Sequence, residues 1–129
     1  MRNCRLLLVD DYVPIRTALR ALLVHYHGVR IVGEASDGQQ AIRLMAACQP
    51  HVILMDINMP RMNGIEATAL IKSSWKQAIV IGLYAVEDPQ DTDAMMNAGA
   101  AAVISKHHIV DLYPTIQKAC LNSPLPLTA

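Results

Sequence analysis

Val52-Ile-Leu-Met-Asp56-Ile-Asn-Met-Pro60-Arg-Met-Asn-Gly64 is the stretch on which the fold turns. The apolar run over 51–55 is too short for a helix and predicts a strand buried on both faces. It ends on an acid, Asp56. The residues from Asn58 to Gly64 are loop chemistry, punctuated by Pro60 and Gly64. Strands of this kind belong to parallel sheets, whose ligands collect at the carboxyl ends of the strands.

The same pattern repeats on either side. Towards the N-terminus, a strand over 5–9 runs into Asp10-Asp11. Ile15, Ala18, Leu19, Leu22, Leu23 and Tyr26 then recur at helical spacing, with Pro14 in the first turn and His27-Gly28 as the stop. A strand over 30–35 closes on Ser36-Asp37-Gly38, and Ala41, Leu44, Met45 and Cys48 mark a second helix that Pro50 ends. Towards the C-terminus come a helix over 65–75, a strand over 78–84, a helix over 89–98 ended by Gly99, and a strand over 101–105. A fifth helix is predicted with Asp111 as its N-cap and a stripe of Leu112, Ile116, Ala119 and Cys120. Five strands alternating with five helices predict an α/β fold: a flavodoxin-like five-stranded parallel sheet in the order 2-1-3-4-5, with helices on both faces. Residues 1–121 make one domain. Residues 122–129, with two prolines and no periodicity, read as a linker or disordered tail.

Composition narrows the function. Lys+Arg and Asp+Glu are both 11, so the net charge is zero. That balance argues against direct nucleic-acid binding by this chain and against an anionic membrane surface. The apolar runs fall far short of the ~20 residues of a membrane helix, and the N-terminus lacks a secretory pattern. A cytoplasmic location is expected, with Cys4, Cys48 and Cys120 as three reduced thiols, because no CxxC spacing appears. His25, His27 and His51 show no ligand spacing and are expected at the surface or partly buried. The seven methionines are read as core filling; Met59 and Met62, flanking Pro60, lie near the crevice where a partner would touch.

The strand ends, taken in order, are Asp10-Asp11, Asp56, Tyr84-Ala85 and Lys106. The first and third strands adjoin at the switch point, so three carboxylates converge. One like-charged pair ~4 Å apart repels by about 4 kcal/mol at an effective dielectric near 20. Such a cluster needs a divalent cation, a lysine or raised pKa values. An all-oxygen donor set favours Mg2+, and Lys106 supplies a point charge for a phosphoryl oxygen. The combination points to phosphoryl transfer.

Leu6-Leu-Leu-Val-Asp10-Asp11, the stretch from Val52 to Ala67 with Pro60 and Gly64 in place, and Ser105-Lys106 together resemble a response-regulator receiver domain. The resemblance covers the chain from about residue 5 to 121. It implies Asp56 as phosphoacceptor and Asp11, Asp56 and the carbonyl of Asn58 as Mg2+ ligands. Asp10 is implied behind them or bound through water, and Lys106 on the phosphoryl group. It also implies a sensor histidine kinase as donor, with the domain catalysing its own phosphorylation and dephosphorylation rather than turning over a substrate.

Two positions depart from the family. Tyr84 stands where a Ser or Thr usually binds the phosphoryl group, and Val103 stands where an aromatic residue is common. Ala85 is small, as its position tends to be, and leaves access to Asp56. Tyr84 admits two readings: a hydroxyl misplaced for the Ser or Thr role, or a ring turned away as an aromatic gate. The resemblance further implies output through the fourth helix, fifth strand and fifth helix, a face holding Met95, Met96, His107, Tyr113 and Lys118 and suited to a homodimer. His107-His108 read as exposed loop imidazoles. Leu127-Thr128 is how many LuxR-type DNA-binding domains open after a linker, which implies such an output domain beyond this chain. Two alternatives stay open: a phosphorylation-independent binding module with a degenerate switch, and a phosphatase using Asp56 as nucleophile. The second is disfavoured because Asn58 stands where that chemistry wants an Asp.

Overall fold

Val52–Asp56 forms β3, and all five of its residues are buried, as a strand covered on both faces requires. The computed structural model describes residues 3–125. β3 pairs in parallel with β1 (Cys4–Val9) on one side and β4 (Ile79–Tyr84) on the other. β2 (Val29–Ala35) and β5 (Ala102–Ser105) form the edges, giving the expected order β2-β1-β3-β4-β5. The register sets Val9 beside Met55 and Asp56 beside Leu83, so the carboxyl ends of the central strands line up.

Alternate strand residues feed two separate cores, because successive side chains of a strand point to opposite faces. Leu6, Leu8, Leu54, Ile81 and Leu83 pack under α1 (Val13–Leu23) and α5 (Leu112–Asn122). Leu7, Val9, Ile53, Met55 and Val80 pack under α2 (Gly38–Cys48), α3 (Gly64–Ser74) and α4 (Pro89–Asn97). Three of these helices begin on an Asx cap: Asp37 accepts from the Gln40 amide, Asn63 from Glu66 and Asp88 from Gln90.

Several expectations are corrected. Cys4 and Cys120 are not thiols: they form a disulfide between the first residue of β1 and α5, with Cα atoms 5.8 Å apart. Only the fold brings these two residues, 116 apart in sequence, side by side. Cys48 alone is free, its Sγ 3.4 Å from the Val32 carbonyl. His51 is fully buried; its Nδ1 accepts the Arg5 amide at 2.9 Å, and its own amide donates to the Arg5 carbonyl at 2.8 Å. Met95 lies in the α2–α3–α4 core, as core filling requires and unlike the output-face position also given to it, whereas Met96 is exposed and fills no core. Asp111 is not a side-chain cap. A 3-10 turn, Ile109–Asp111, precedes α5, and Asp111 is already helical (φ −84°, ψ −8°), so its carboxylate does not reach the helix amides. α1 stops at Leu23, earlier than His27-Gly28, and a tight turn brings Tyr26 against Tyr113 with ring centroids 4.0 Å apart. The tail read over 122–129 overlaps the last residue of α5. Its part beyond residue 125, with Leu127-Thr128, lies outside the described residues.

Candidate functional site

Asp10 is the first residue past β1 and is completely buried. Its amide donates to the Ala35 carbonyl at 3.0 Å, and its own carbonyl accepts from Arg16 Nη1 at 2.5 Å. Its Oδ1 accepts the Tyr12 amide at 2.9 Å, which turns the chain into α1. Asp56 ends β3 and is also buried, with Oδ1 accepting from the Asn58 amide at 3.2 Å. Lys106 follows β5, anchored by its amide on the Tyr84 carbonyl at 2.8 Å. Its Nζ lies 2.6 Å from Asp10 Oδ2 and 3.2 Å from Asp56 Oδ1. Asp11 is exposed, yet its carboxylate oxygen lies with those of Asp10 and Asp56 in a group spanning no more than 4.8 Å. Three strand ends, far apart in sequence, thus supply one crevice.

One lysine does not balance three carboxylates, and the imbalance shows in Asp56. Burial, then the charge of Asp10, pushes its carboxyl up to about 7 against the opposing pull of Lys106 and the Asn58 amide. Burial alone would lower Lys106, but Asp10 and Asp56 outweigh it and hold the ammonium above its ordinary value. The crevice is therefore short of positive charge, and its oxygen donors suit a hard divalent cation, with Asp11 open to solvent on one side.

Tyr84 is half-buried. Its ring, with Val103, packs against the α2–α3–α4 core, and its hydroxyl has no hydrogen-bond partner among the described residues. Ala85 is exposed beside it. His107, His108, Met96 and Lys118 are exposed, whereas Tyr113 is half-covered by Tyr26. Met62 is partly buried against Gly38, where an added Cβ would lie 2.8 Å from its Cγ.

Some supporting residues were not singled out from the sequence. Arg16, in the first turn of α1, reaches back to the Asp10 carbonyl and also meets Glu34 at 3.4 Å. Asp37, read as part of a turn, pairs with Arg61 at 2.7 Å. The helix-start position of Asp37 was a readable signal for its cap, but nothing in the spacing foretells its arginine. Gly64 was read as loop punctuation. A Cβ there would fall 2.1 Å from the Asp56 carbonyl oxygen, so the loop closes directly on the acceptor strand.

Comparison with known proteins assigns the chain to a family. Residues 6–116 match the model of the response regulator receiver domain. The chain is 36% identical over 103 residues to the response regulator GacA of Pseudomonas aeruginosa, covering 79% of this chain and 48% of that protein. It is 37% identical over 102 residues to the transcriptional regulatory protein LiaR of Bacillus subtilis, again covering 79% and 48%. The chain thus spans about half the length of these curated relatives. Among solved structures, the response regulator domain of Thermotoga maritima CheB superposes with a TM-score of 0.87 at 30% identity, covering 95% of this chain and all of that one. A LuxR-family response regulator from Aurantimonas superposes with a TM-score of 0.88 at 27% identity, covering 94% and 87%. With the acidic crevice at its strand ends and these relatives, the chain belongs to the response regulator receiver domain family.

Proposed function

We propose that this domain accepts a phosphoryl group on Asp56 from the phosphohistidine of a sensor histidine kinase, with Mg2+ bound by Asp11, Asp56 and the Asn58 carbonyl. The observation that carries the reading is Lys106 Nζ, held at 2.6 Å from Asp10 and 3.2 Å from Asp56 in a cluster with excess negative charge. An Asp56 oxygen attacks phosphorus in line, the P–N bond breaks, and the imidazole leaves with the bonding pair. Lys106 neutralises charge on the transferring oxygens, and Asp10 keeps that ammonium in place. Ala85 leaves the approach open. The cation would neutralise the phosphoryl oxygens when bound. Water later attacks the acyl phosphate and restores the carboxylate.

The domain boundary at residue 121, the output face of α4, β5 and α5, and a homodimer through that face belong to the same proposal. So do a C-terminal DNA-binding domain, a role in transcription and a cytoplasmic location. The support is the similarity to LiaR, a transcriptional regulatory protein, and to a LuxR-family structure. In a reducing cytoplasm the Cys4–Cys120 disulfide would be open to reduction, and the burial of both cysteines restricts that attack.

The test is incubation with Mg2+ and acetyl phosphate or beryllofluoride, beside an Asp56→Asn variant. A stoichiometric, acid-labile adduct on the unaltered chain alone supports the proposal. Absence of an adduct with every donor, together with absence of Mg2+ binding, overturns it. A second reading, signalling without phosphorylation, is favoured by the core packing of Tyr84 and Val103. It expects no change in oligomeric state on beryllofluoride addition for the unaltered chain, and a change once Tyr84→Thr restores a short hydroxyl.

A further inference from the structure

The loop between β3 and α3 carries Asn58, and it is tied down away from the acceptor as well as at it. At its end, the Gly64 amide donates to the Ile57 carbonyl at 2.9 Å. In its middle, the Met62 carbonyl accepts the Gly38 amide at 3.1 Å, at the start of α2. Arg61, immediately before Met62, holds a left-handed backbone (φ 64°) that L residues seldom adopt. That conformation aims its guanidinium at Asp37, with Nη2 at 2.7 Å and Nε at 3.0 Å from Oδ2. Asp37 is buried, and its other oxygen accepts the Gln40 amide at 2.9 Å. A helix cap needs only Oδ1. The second oxygen is committed to a different loop, three residues from Asn58.

We propose that Asp37 and Arg61 are positioning residues for the cation site: their ion pair holds the loop over 58–62 so that the Asn58 backbone stays set against the carboxylates. This rests on the magnesium reading given above. Among the described residues, the two side chains make no hydrogen bond or ion pair with the carboxylate cluster. They act through the loop backbone.

Electrostatics makes the test decisive, because it works in the opposite direction. Arg61→Ala removes a positive charge near an acidic site, which by Coulomb attraction alone tightens a divalent cation. A positioning role loosens it instead. The expected result is Mg2+ binding weakened roughly tenfold in Arg61→Ala, measured by calorimetry on the full chain, with partial recovery in Arg61→Lys. The midpoint of the Mg2+ dependence of Asp56 phosphorylation by acetyl phosphate shifts by the same factor, and the adduct still forms fully at saturating Mg2+. Asp37→Asn keeps a side chain able to cap α2 but loses the ion pair, and combining it with Arg61→Ala adds nothing further to the shift attributable to the loop. Arg61→Gly tolerates the positive φ and repeats the measurement should the alanine variant fail to fold. Unchanged or tighter Mg2+ binding in a folded Arg61→Ala or Arg61→Gly protein overturns the proposal. Absence of Mg2+ binding by the unaltered protein overturns the magnesium reading itself, and the positioning role with it.

Discussion

At the scale of single residues, Asp56 sets a pH dependence whose sign follows from its environment. Its carboxyl is pushed up to about 7 in the fold, against an ordinary value near 4 in the unfolded chain. Between those limits the native state holds a proton that the unfolded state has lost, so stability falls as pH rises through this window. The cation-free protein is expected to be more stable in urea at pH 5 than at pH 8, by up to a few kcal/mol. Asp56→Asn should flatten this slope, and Mg2+ should flatten it in the unaltered chain. A stability that is level from pH 5 to 8 without Mg2+ would remove the case for a strained acceptor. Asp37 behaves in the opposite sense and at lower pH. The Gln40 amide, then Arg61, holds its carboxyl below the ordinary range, so its contribution is present above pH ~4 and is lost as pH falls further.

At the scale of elements, the turn from β3 into α3 leaves no tolerance. Gly64→Ala would place a methyl 2.1 Å from the Asp56 carbonyl oxygen, which is backbone and cannot rotate aside. The expected cost is about 2–4 kcal/mol in urea denaturation, at the upper end for a single methyl because strand and helix must separate. The same variant should weaken Mg2+ binding, since the acceptor and Asn58 move with the strand end. A loss of stability without any change in Mg2+ affinity would mean that the loop adapts and that Gly64 is needed for packing alone. Gly64 and Pro60 were legible in the sequence as punctuation. The contact that makes Gly64 necessary was not, because it depends on how steeply the loop folds back over the strand.

At the scale of the whole molecule, the Cys4–Cys120 disulfide joins the first strand to the last helix across a sequence separation of 116. Closing a loop of that length removes much of the freedom of the unfolded chain, and reduction is expected to cost about 2–5 kcal/mol. Urea midpoints with and without reductant measure it. Cys48→Ser should leave the difference intact, and Cys4→Ser should abolish it. Equal midpoints in the two conditions would show that the cross-link constrains little that the packing of α5 does not already constrain.

The sequence by itself determined the strand and helix order, the parallel sheet and the placing of Asp10, Asp11, Asp56 and Lys106 at strand ends. These depend on local periodicity and on a topology with few permitted solutions, so short-range patterns suffice to read them. Only the tertiary structure decided that Cys4 bonds Cys120, that His51 is buried, that Tyr84 packs against the α2–α3–α4 core and that Arg61 clasps Asp37. Each of these depends on where two segments distant in sequence meet and at what angle. Distances of a few ångströms between such segments are set by packing of the whole sheet, and no local pattern encodes them.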